Sequence, residues 1–444
     1  MDTRFQVLFG FLFVALFLLV AALAGCGLSP SPTSTVPVQG PAPTLPSIAP
    51  TSTIPSAIPT PSEPTPSFIS LTIWGPGQFA PGEADSGNQV LQVQYQAFMA
   101  ENANVGLEYV LKAPYGEGGV LHTLLAASYA APATLPDLAI VDAFELGPLA
   151  QAGVAQPLQE LVAEELRADL FPFAQEACTF DGDLIGLQFE ADIEHLVYYT
   201  KTLEAPPVTW GDLFTGSISY IFPAGGEAGL VNDTFLIQYM AQGGQLVDEE
   251  GRPDLEGSAI RMPLRLYDEG FKYDVIPSRV LELDNLEECW EAYAEGNIAV
   301  SHISSWRYLT SRARLQDTTF APLPTQDGRV ATMSRGWAFV IITSEPGRKA
   351  ATARLIEWLM SPQNLAEWSL ATNHLPTRSS ALRLIGWPDD YTDFLATQLE
   401  NAFFRPSTPE FDKIAQALQG AVEGVLSDQL TPRQAASEVL DSVE

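Results

Sequence analysis

Residues 68–77 read FISLTIWGPG and residues 135–143 read LPDLAIVDA, and the pattern between these two stretches decides the fold. Each is an apolar run of strand length, and Gly-Pro-Gly stops the first. Between them, 90–102 (VLQVQYQAFMAEN) has helical spacing, 105–114 is strand-like and 118–130 is again helical. Strand, helix, strand, helix, strand predicts a parallel α/β sheet. Such sheets bind ligands in a crevice at the carboxyl ends of their strands.

The size and charge of the chain restrict its class. Its 444 residues exceed the roughly 250–300 at which a single core stops growing, so two lobes or domains are expected. With 22 Lys and Arg against 54 Asp and Glu, the formal charge is −32. This charge repels nucleic-acid phosphates and anionic lipid headgroups, so nucleic acid is not an expected partner. It also favours a soluble monomer.

The three cysteines are too few for a disulfide scaffold. Cys178 and Cys289 either pair in an oxidising compartment or remain two buried thiols, and the sequence leaves both alternatives open. Neither belongs to a CxxC pair and the four histidines are scattered, so no metal site is predicted. No cofactor is predicted either, because the chain has no phosphate-binding loop motif.

The N-terminal segment resembles a lipoprotein leader. Residues 5–24 are almost wholly apolar and follow Arg4, as in a secretory signal peptide. A membrane-spanning helix is the alternative, because the run reaches about 20 residues. The run ends in Ala-Leu-Ala-Gly before Cys26, which resembles the bacterial lipoprotein box. That resemblance implies a signal peptide at 1–25, a lipid on Cys26 and a location on the outer face of a bacterial cell membrane.

A segment rich in Pro, Ser and Thr follows the leader. From Ser29 to Ser67 these three types make up 27 of 39 residues, with no Lys or Arg. Such a segment buries too little apolar surface to offset the entropy of ordering it, which predicts a disordered linker. We assign 26–67 to the lipidated cysteine and this linker. A Pro-rich recognition ligand is the alternative, but it would need an Arg beside its prolines.

Six segments of the remaining chain carry a resemblance in their order and spacing: 68–77, 135–162, 180–214, 293–309, 320–342 and 350–382. They include FEADIEHLVYY, ISSWRYL and SRGWAFVII. Together they resemble the extracellular solute-binding proteins of ABC transporters, in the carbohydrate-binding branch similar to maltose-binding protein. The resemblance covers essentially all of 68–444. It implies a type II periplasmic-binding-protein-like fold, in which two α/β lobes, each a sheet flanked by helices, are joined by a hinge.

The family's chain crossings imply boundaries for these lobes. Lobe 1 is expected at 68–189 and 318–362, and lobe 2 at 190–317 and 363–444. The helix AATARLIEWLMS is expected to close lobe 1. C-terminal helices are expected to cover lobe 2, the last beginning with Thr431 as N-cap and Pro432 as its first residue.

A sugar has apolar C–H faces and a rim of hydroxyls, so its site needs flat aromatic side chains with polar groups between them. Trp74 ends the first strand beside Gly-Pro-Gly, and Trp337 begins another strand. Trp306 follows the strand NIAVSHI and matches the stacking Trp that the resemblance implies for lobe 2. Phe411, or alternatively Phe404, stands where the family has a distal aromatic. Core packing is expected for three others: Trp210, Trp358 and Trp368.

Polar candidates stand in the loops of the expected cleft. Asp142 follows a buried strand, with Phe144 two residues on. At the first lobe crossing, where the resemblance implies a sugar-binding carboxylate, there are three choices, of which the second is slightly preferred: Glu190, Asp192 and Glu194. Asn232 and Asp233 open a helix and would contact ligand or cap that helix. Arg378 would reach a ligand or hold a turn.

We therefore expect a receptor that captures a sugar or oligosaccharide between two lobes and delivers it to the permease of an ABC importer. Basic residues are scarce in the cleft segments, which weighs against an anionic ligand. A glycosidase-like enzyme is one alternative, because carboxylates such as Asp181 and Asp183 are close in sequence. No GxSxG or HExxH motif supports catalysis, so no enzyme is predicted. A purely adhesive surface lipoprotein is the other alternative.

Overall fold

The computed structural model describes residues 67–248 and 250–443. The expected leader, Cys26 and the linker up to Pro66 lie outside this part of the chain. Among the residues described, no helix combines the length and the apolar character needed to cross a membrane. Cys178 and Cys289 are both buried free thiols.

The strands of the described residues are, in chain order, β1 (Ile69–Gly75), β2 (Val105–Leu111), β3 (Leu138–Asp142), β4 (Thr179–Phe180), β5 (Asp183–Leu184), β6 (Leu187–Gln188), β7 (Glu190–Tyr199), β8 (Tyr220–Ile221), β9 (Val300–Ser304), β10 (Thr318–Ala321), β11 (Thr332–Arg335), β12 (Trp337–Ile341), β13 (Leu375–Pro376) and β14 (Ala402–Phe403). The helices of the same residues are α1 (Ser86–Glu101), α2 (Val120–Ala130), α3 (Leu146–Gln151), α4 (Glu164–Ala168), α5 (Pro172–Glu176), α6 (Trp210–Thr215), α7 (Asp233–Ala241), α8 (Gly257–Lys272), α9 (Leu286–Ala294), α10 (Ser305–Ser311), α11 (Pro346–Leu359), α12 (Pro362–Thr372), α13 (Ser379–Leu384), α14 (Asp389–Glu400), α15 (Phe411–Leu426) and α16 (Pro432–Val443).

Lobe 1 is built on a five-stranded sheet in the order β2-β1-β3-β12-β6. β1 pairs in parallel with β2 and with β3, which confirms the parallel sheet predicted from the alternating strands and helices. β12 returns antiparallel to β3. Leu71, Ile73 and Leu138 are fully buried in its core. α11 packs on β1 and β12.

Lobe 2 is built on a second sheet in the order β14-β11-β7-β9-β8, with β10 and β13 also paired to β7. β7 has ten residues and lies at the centre of this sheet. Leu196 and Val197 are fully buried there. The helices α8, α15 and α16 pack together and cover this lobe.

The chain crosses between the lobes three times, between β6 and β7, between β11 and β12, and between α12 and β13. The last two crossings differ from the boundaries expected at 318 and 363. β10 and β11 pair with β7 and therefore belong to the sheet of lobe 2. α12 packs on α1 of lobe 1, where Gln94 Nε2 donates to the Asn364 carbonyl at 2.8 Å. We therefore propose that lobe 1 comprises 67–188 and 337–372, and lobe 2 comprises 190–335 and 375–443.

Local capping fixes where the helices begin. Asp85 caps α1 by accepting the backbone N–H of Asn88 at 2.9 Å. Before α16, the Thr431 hydroxyl accepts the backbone N–H of Gln434 at 3.3 Å, and the Gln434 side chain accepts that of Thr431 at 3.1 Å. This reciprocal pair is a capping box. α16 begins at Pro432, so the predicted start of the last helix is confirmed.

Candidate functional site

Two adjoining cavities open where the lobes meet. The larger has a volume of about 880 Å³ and the smaller of about 340 Å³, and Glu190 and His374 line both. We call the two cavities together the cleft. Pockets for small molecules commonly measure about 300–1,000 Å³, so the cleft has the size to hold a small solute. In the described part of the chain, no group of three or more His, Cys, Asp or Glu side chains is placed to hold a metal ion.

Glu190 begins β7 and is 4% exposed. Its Oε2 accepts the backbone N–H of Trp337 at 3.0 Å, and its Oε1 lies 2.6 Å from Nδ1 of His374. Trp337 and His374 belong to the second and third lobe crossings. The Glu190 carboxylate is therefore held between chain segments that join the two lobes.

Asp192 lies two residues further along β7 and organises α10. Its Oδ1 accepts the hydroxyl of Ser305 at 2.5 Å and the backbone N–H of Trp306 at 2.9 Å. These bonds hold the first turn of α10, where donors have no partner within the helix. The indole of Trp306 consequently lines the smaller cavity.

The wall that lobe 1 contributes is aromatic and acidic. Asp142 ends β3, and its oxygens accept the Tyr115 hydroxyl at 2.5 Å and the backbone N–H of Phe144 at 3.0 Å. Burial raises the pKa of Asp142, although both hydrogen bonds act to lower it. Burial and the neighbouring Asp142 raise the pKa of Glu145 to about 7. The ring of Tyr115 lies 5.6 Å from that of Trp337.

The wall that lobe 2 contributes contains two arginines. Asp233 begins α7 and is fully buried, and the Nε atoms of Arg335 and Arg405 each donate to one of its oxygens. Burial acts to raise the pKa of Asp233, but the two guanidiniums outweigh it and the pKa is lowered. Among the described residues neither guanidinium donates another hydrogen bond. Both arginines line the larger cavity.

Two phenylalanines lie beside Arg405. The central carbon of its guanidinium is 5.1 Å from the ring of Phe144 in lobe 1 and 5.4 Å from that of Phe411 in lobe 2. Phe144 lines the larger cavity, and Phe411 lines a neighbouring one of about 280 Å³. The alternative, Phe404, lines a separate cavity of about 420 Å³.

Trp74 and Arg378, both proposed from the sequence, line neither cavity of the cleft. Trp74 is buried at the end of β1, with the Lys112 ammonium 4.1 Å from the centre of its ring. Arg378 donates from Nε to Asp169 at 2.8 Å and from Nη1 to the Met360 carbonyl at 2.6 Å. These contacts give Arg378 the turn-holding role that was its alternative.

The three carboxylates at the first crossing separate clearly. Glu190 and Asp192 line the larger cavity. Glu194 is instead buried inside lobe 2, where its Oε2 lies 3.1 Å from Nδ1 of His302 and accepts the Thr234 hydroxyl at 3.1 Å. Residues two apart in a strand point to the same face, so Glu190 and Asp192 share the cleft, whereas Glu194 lies further along β7 among the side chains of lobe 2.

Asn232 lines the larger cavity, whereas Asp233 lies behind the arginines. The Asn232 side chain accepts the backbone N–H of Gly226 at 3.2 Å and donates to the Asp284 carbonyl at 2.8 Å. It makes no capping bond to α7. Asn232 therefore holds a loop at the edge of the cleft.

The remaining tryptophans differ in their surroundings. Trp210 donates from Nε1 to Gln238 at 3.0 Å, and Trp358 donates to the Gln94 carbonyl at 3.0 Å, so both pack against neighbouring helices. Trp368 lines the smaller cavity, where core packing alone was expected. α12 reaches the cleft because it docks on lobe 1.

Sequence reasoning missed several side chains of the larger cavity, among them Tyr115, Arg335, His374 and Arg405. Arg335 directly precedes the Gly336-Trp337 crossing, and His374 directly precedes the Leu-Pro of β13. Both positions could have been found by asking which polar residues flank a crossing. The expectation that basic residues are scarce in the cleft is wrong, because two arginines line it.

Known proteins share this architecture. A family model described as bacterial extracellular solute-binding protein matches residues 94–396 of the 444-residue chain. A maltotriose-binding protein of Pyrococcus abyssi (strain GE5 / Orsay) is 23% identical over 307 residues, which cover 66% of this chain and 66% of the relative, just under two thirds of its length.

Solved structures agree with the fold. The cyclic alpha-maltosyl-1,6-maltose binding protein from Arthrobacter globiformis is 18% identical, with 85% of this chain and 98% of that one covered and a TM-score of 0.73. The sugar-binding protein MalE from Xanthomonas citri is 21% identical, with coverages of 84% and 96% and a TM-score of 0.71. The two-lobed α/β fold predicted from the sequence is thereby confirmed. Because the family model matches well over half of the chain, the protein belongs to the bacterial extracellular solute-binding proteins.

Proposed function

We propose that this protein is the receptor of an ABC importer, which captures a carbohydrate in the cleft and delivers it to the membrane permease. One observation carries the proposal: the cleft combines the indoles of Trp306 and Trp337 with the fixed carboxylates of Glu190 and Asp192. Flat rings contact the apolar C–H faces of a sugar, and carboxylates accept hydrogen bonds from its hydroxyls. The names of the relatives, which bind maltotriose or maltosyl sugars, support this ligand class.

The ligand would touch both lobes at once. Trp337 and Asp142 approach it from lobe 1, and Arg335 and Arg405 approach it from lobe 2. A hydroxyl can donate to the carboxylate and accept from a guanidinium, so one sugar satisfies both walls. Contacts that exist only when both lobes reach the ligand shift the population toward the closed arrangement. Such closure would present a loaded receptor to the permease.

A neutral oligosaccharide is the first candidate ligand. The carboxylates that line the larger cavity outnumber its cationic side chains: Asp142, Glu190, Asp192, Glu227 and Asp412, against Arg335, Arg405 and His374. This excess of negative charge disfavours an anionic ligand despite the two arginines. Maltose, maltotriose and longer maltodextrins are therefore the first compounds to test.

Calorimetric titration of the purified protein with maltotriose tests the proposal. We expect saturable binding, and at least about tenfold weaker binding in Trp306→Ala and in Trp337→Ala, since tenfold is only about 1.4 kcal/mol. Trp358→Phe is the matched control, because Trp358 packs between helices outside the cleft. Unchanged affinity in both alanine variants would contradict the assignment of the cleft.

Two other results would redirect the proposal. Release of smaller sugars from maltotriose in the same sample would favour the glycosidase alternative. Absence of heat with every maltodextrin, together with no ligand-linked rise in melting temperature, would exclude this carbohydrate class, because a ligand that binds only the folded state must stabilise it.

We also propose that a lipid on Cys26 anchors the chain and that 26–67 tethers the lobes to the membrane. The Leu-Ala-Gly-Cys sequence supports this, and a covalent anchor would hold an acidic protein near headgroups that otherwise repel it. Cys26→Ser should release the protein into the medium, whereas the control Cys289→Ser should stay with the membrane. Retention of Cys26→Ser in membranes would mean that the apolar leader itself spans.

A further inference from the structure

The three lobe crossings meet at one buried carboxylate. Glu190 follows the first crossing, accepts the backbone N–H of Trp337 beyond the second, and lies 2.6 Å from Nδ1 of His374 in the third. The crossings are also in close contact, because a Cβ on Gly336 would lie 1.9 Å from the Glu190 carbonyl oxygen. Any change in the angle between the lobes must therefore be accommodated around Glu190.

His374 also joins the lobes through its ring. The imidazole stacks on the indole of Trp306 from lobe 2, with ring centres 6.2 Å apart and planes at 28°. It stacks on Trp368 from lobe 1 at 6.0 Å and 18°. A positive charge on a ring between two indole faces is stabilised by their negative faces. The three rings bring both lobes into contact with a single titratable group.

The charges around His374 favour its protonated form. On β7 the facing groups are Glu190, whose side chain is 5% exposed, and Asp192. α1 presents Asp85 across the smaller cavity, and α10 presents Arg307, whose guanidinium lies 5.1 Å from the ring of Trp306. α12 presents the uncharged Trp368 and Thr372, and β12 presents Trp337. The larger cavity, which His374 also lines, adds Arg335 and Arg405 together with Asp142, Glu227 and Asp412, so carboxylates still outnumber cations around the ring.

Burial alone would lower the pKa of His374, but Glu190 and then Asp192 outweigh it, and the pKa is raised above its ordinary value of 6.5. Loss of the proton would leave the carboxylate of Glu190 buried beside a neutral ring. Glu190 would keep its hydrogen bond from the backbone N–H of Trp337 but lose its buried countercharge, and this cost favours entry of water or separation of the segments.

We propose that Glu190 and His374 form a proton-dependent clamp on the hinge. While His374 carries its second proton, the pair holds the three crossings and the two indoles in the lobe arrangement observed here. When pH rises and the proton leaves, the clamp opens and the lobes separate more readily. The clamp rests on the contacts of Glu190 and His374 at the three crossings and on the charges around them, and its effect on solute capture rests on the proposed function.

Titration of the histidine ring resonances in the ligand-free protein tests the clamp. We expect the resonance that is missing in His374→Gln to titrate above about pH 6.5 in the wild type. In Glu190→Gln its midpoint should fall by about one pH unit or more. The control His122→Gln removes an exposed ring on α2 and should leave the midpoint unchanged. A midpoint at or below 6.5, or one unaffected in Glu190→Gln, would overturn the pairing.

Solution X-ray scattering of the ligand-free protein reports the lobe arrangement and does not depend on whether Glu190→Gln folds. The radius of gyration should increase across the same midpoint in the wild type and stay constant in His374→Gln. A constant wild-type value, or the same transition in His374→Gln, would overturn the clamp.

Maltotriose affinity separates the two proposals. It should fall at least about threefold across the midpoint in the wild type but not in His374→Gln. An affinity that ignores pH would overturn the coupling to capture. If maltotriose binds at no pH, the proposed ligand class fails, and the resonance and scattering results still decide the clamp.

Discussion

Asp142 lines the cleft from lobe 1, Asp233 lies behind the two arginines of its lobe 2 wall, and both are almost inaccessible, at 6% and 0% exposed. Asp142 is bound by neutral donors, the Tyr115 hydroxyl and a backbone N–H, and burial leaves its pKa raised. Burial acts in the same direction on Asp233, yet Arg335 and Arg405 leave its pKa lowered. The formal charge of the partner, and not the depth of burial, decides the direction in which the pKa of each carboxyl group is shifted.

This contrast gives the cleft two different walls. Among the residues that line the larger cavity, lobe 1 offers the carboxyl group of Asp142 and no arginine, whereas lobe 2 offers two guanidinium groups beside its own carboxylates. A sugar hydroxyl both donates and accepts hydrogen bonds, so a polyol placed between the walls can satisfy each without an ion pair. Asp233 supports this arrangement, because it binds the Nε atoms of two arginines that line the cavity.

The largest expected loss of stability comes from removing the charge of Asp233 in lobe 2. Asp233→Asn leaves two guanidiniums without their shared countercharge, and removal of one partner from a buried ion pair typically costs about 3–5 kcal/mol. We expect urea unfolding to show a decrease of about 3 kcal/mol in the free energy of unfolding. This is the low end of the range, because the Arg335 side chain is 46% exposed and can relax into water. Asp142→Asn removes an acceptor only from neutral donors and should cost about 1 kcal/mol.

The comparison between the two variants is itself the control, because the substitution and the depth of burial are the same. Combining Asp233→Asn with Arg405→Gln should recover part of the loss, since fewer unpaired cations then remain. Equal destabilisation by Asp142→Asn and Asp233→Asn would show that the partner's charge does not distinguish the two sites.

Much of the fold follows from local pattern. The alternating strands and helices from 68 to 143 were predictable because apolar periodicity and Gly-Pro-Gly act within a few residues. The second and third crossings were not predictable, because the apolar patterns of β10 and α12 do not indicate which lobe each element joins. Their placement depends on pairing with β7 and docking on α1, which are contacts between distant parts of the chain.

The residues of the cleft also divide into those that local sequence predicts and those that depend on contacts between distant parts of the chain. Asp142 and Trp337 were predictable because each stands at the end of a strand that reaches the crevice. Trp74 ends a strand as well, but the Lys112 ammonium covers its ring. Arg335 and Arg405 were missed because what brings them together is a shared carboxylate, and Arg405 lies in a loop with no pattern of its own.

A smaller loss of stability is expected when the hydrogen bond to Asp142 in lobe 1 is removed. Tyr115→Phe removes the hydroxyl that donates to Asp142 at 2.5 Å, and loss of a single partly exposed hydrogen bond should cost about 1 kcal/mol. That bond acts to lower the pKa of Asp142, so the variant should raise this pKa further, as carboxyl carbon resonances would show. Tyr129→Phe is the control, because Tyr129 is 92% exposed. An unchanged Asp142 titration in Tyr115→Phe would contradict the bond.

The smallest effect on stability is expected from Glu145, which lies three residues after Asp142 in lobe 1. Within the described residues its Oε2 is buried without a hydrogen-bond partner, and burial with Asp142 raises its pKa from 4.5 to about 7. Between pH 4.5 and about pH 7, Glu145 holds a proton in the folded state that it has lost in the unfolded state. The contribution of Glu145 to the free energy of unfolding therefore falls as pH rises from about 4.5 to about 7 and is constant above about pH 7. Glu145→Gln should flatten this part of a urea-derived stability profile, whereas the exposed control Glu117→Gln should not. Parallel profiles for Glu145→Gln and the wild type would mean that Glu145 ionises as freely in the folded protein as in the unfolded chain.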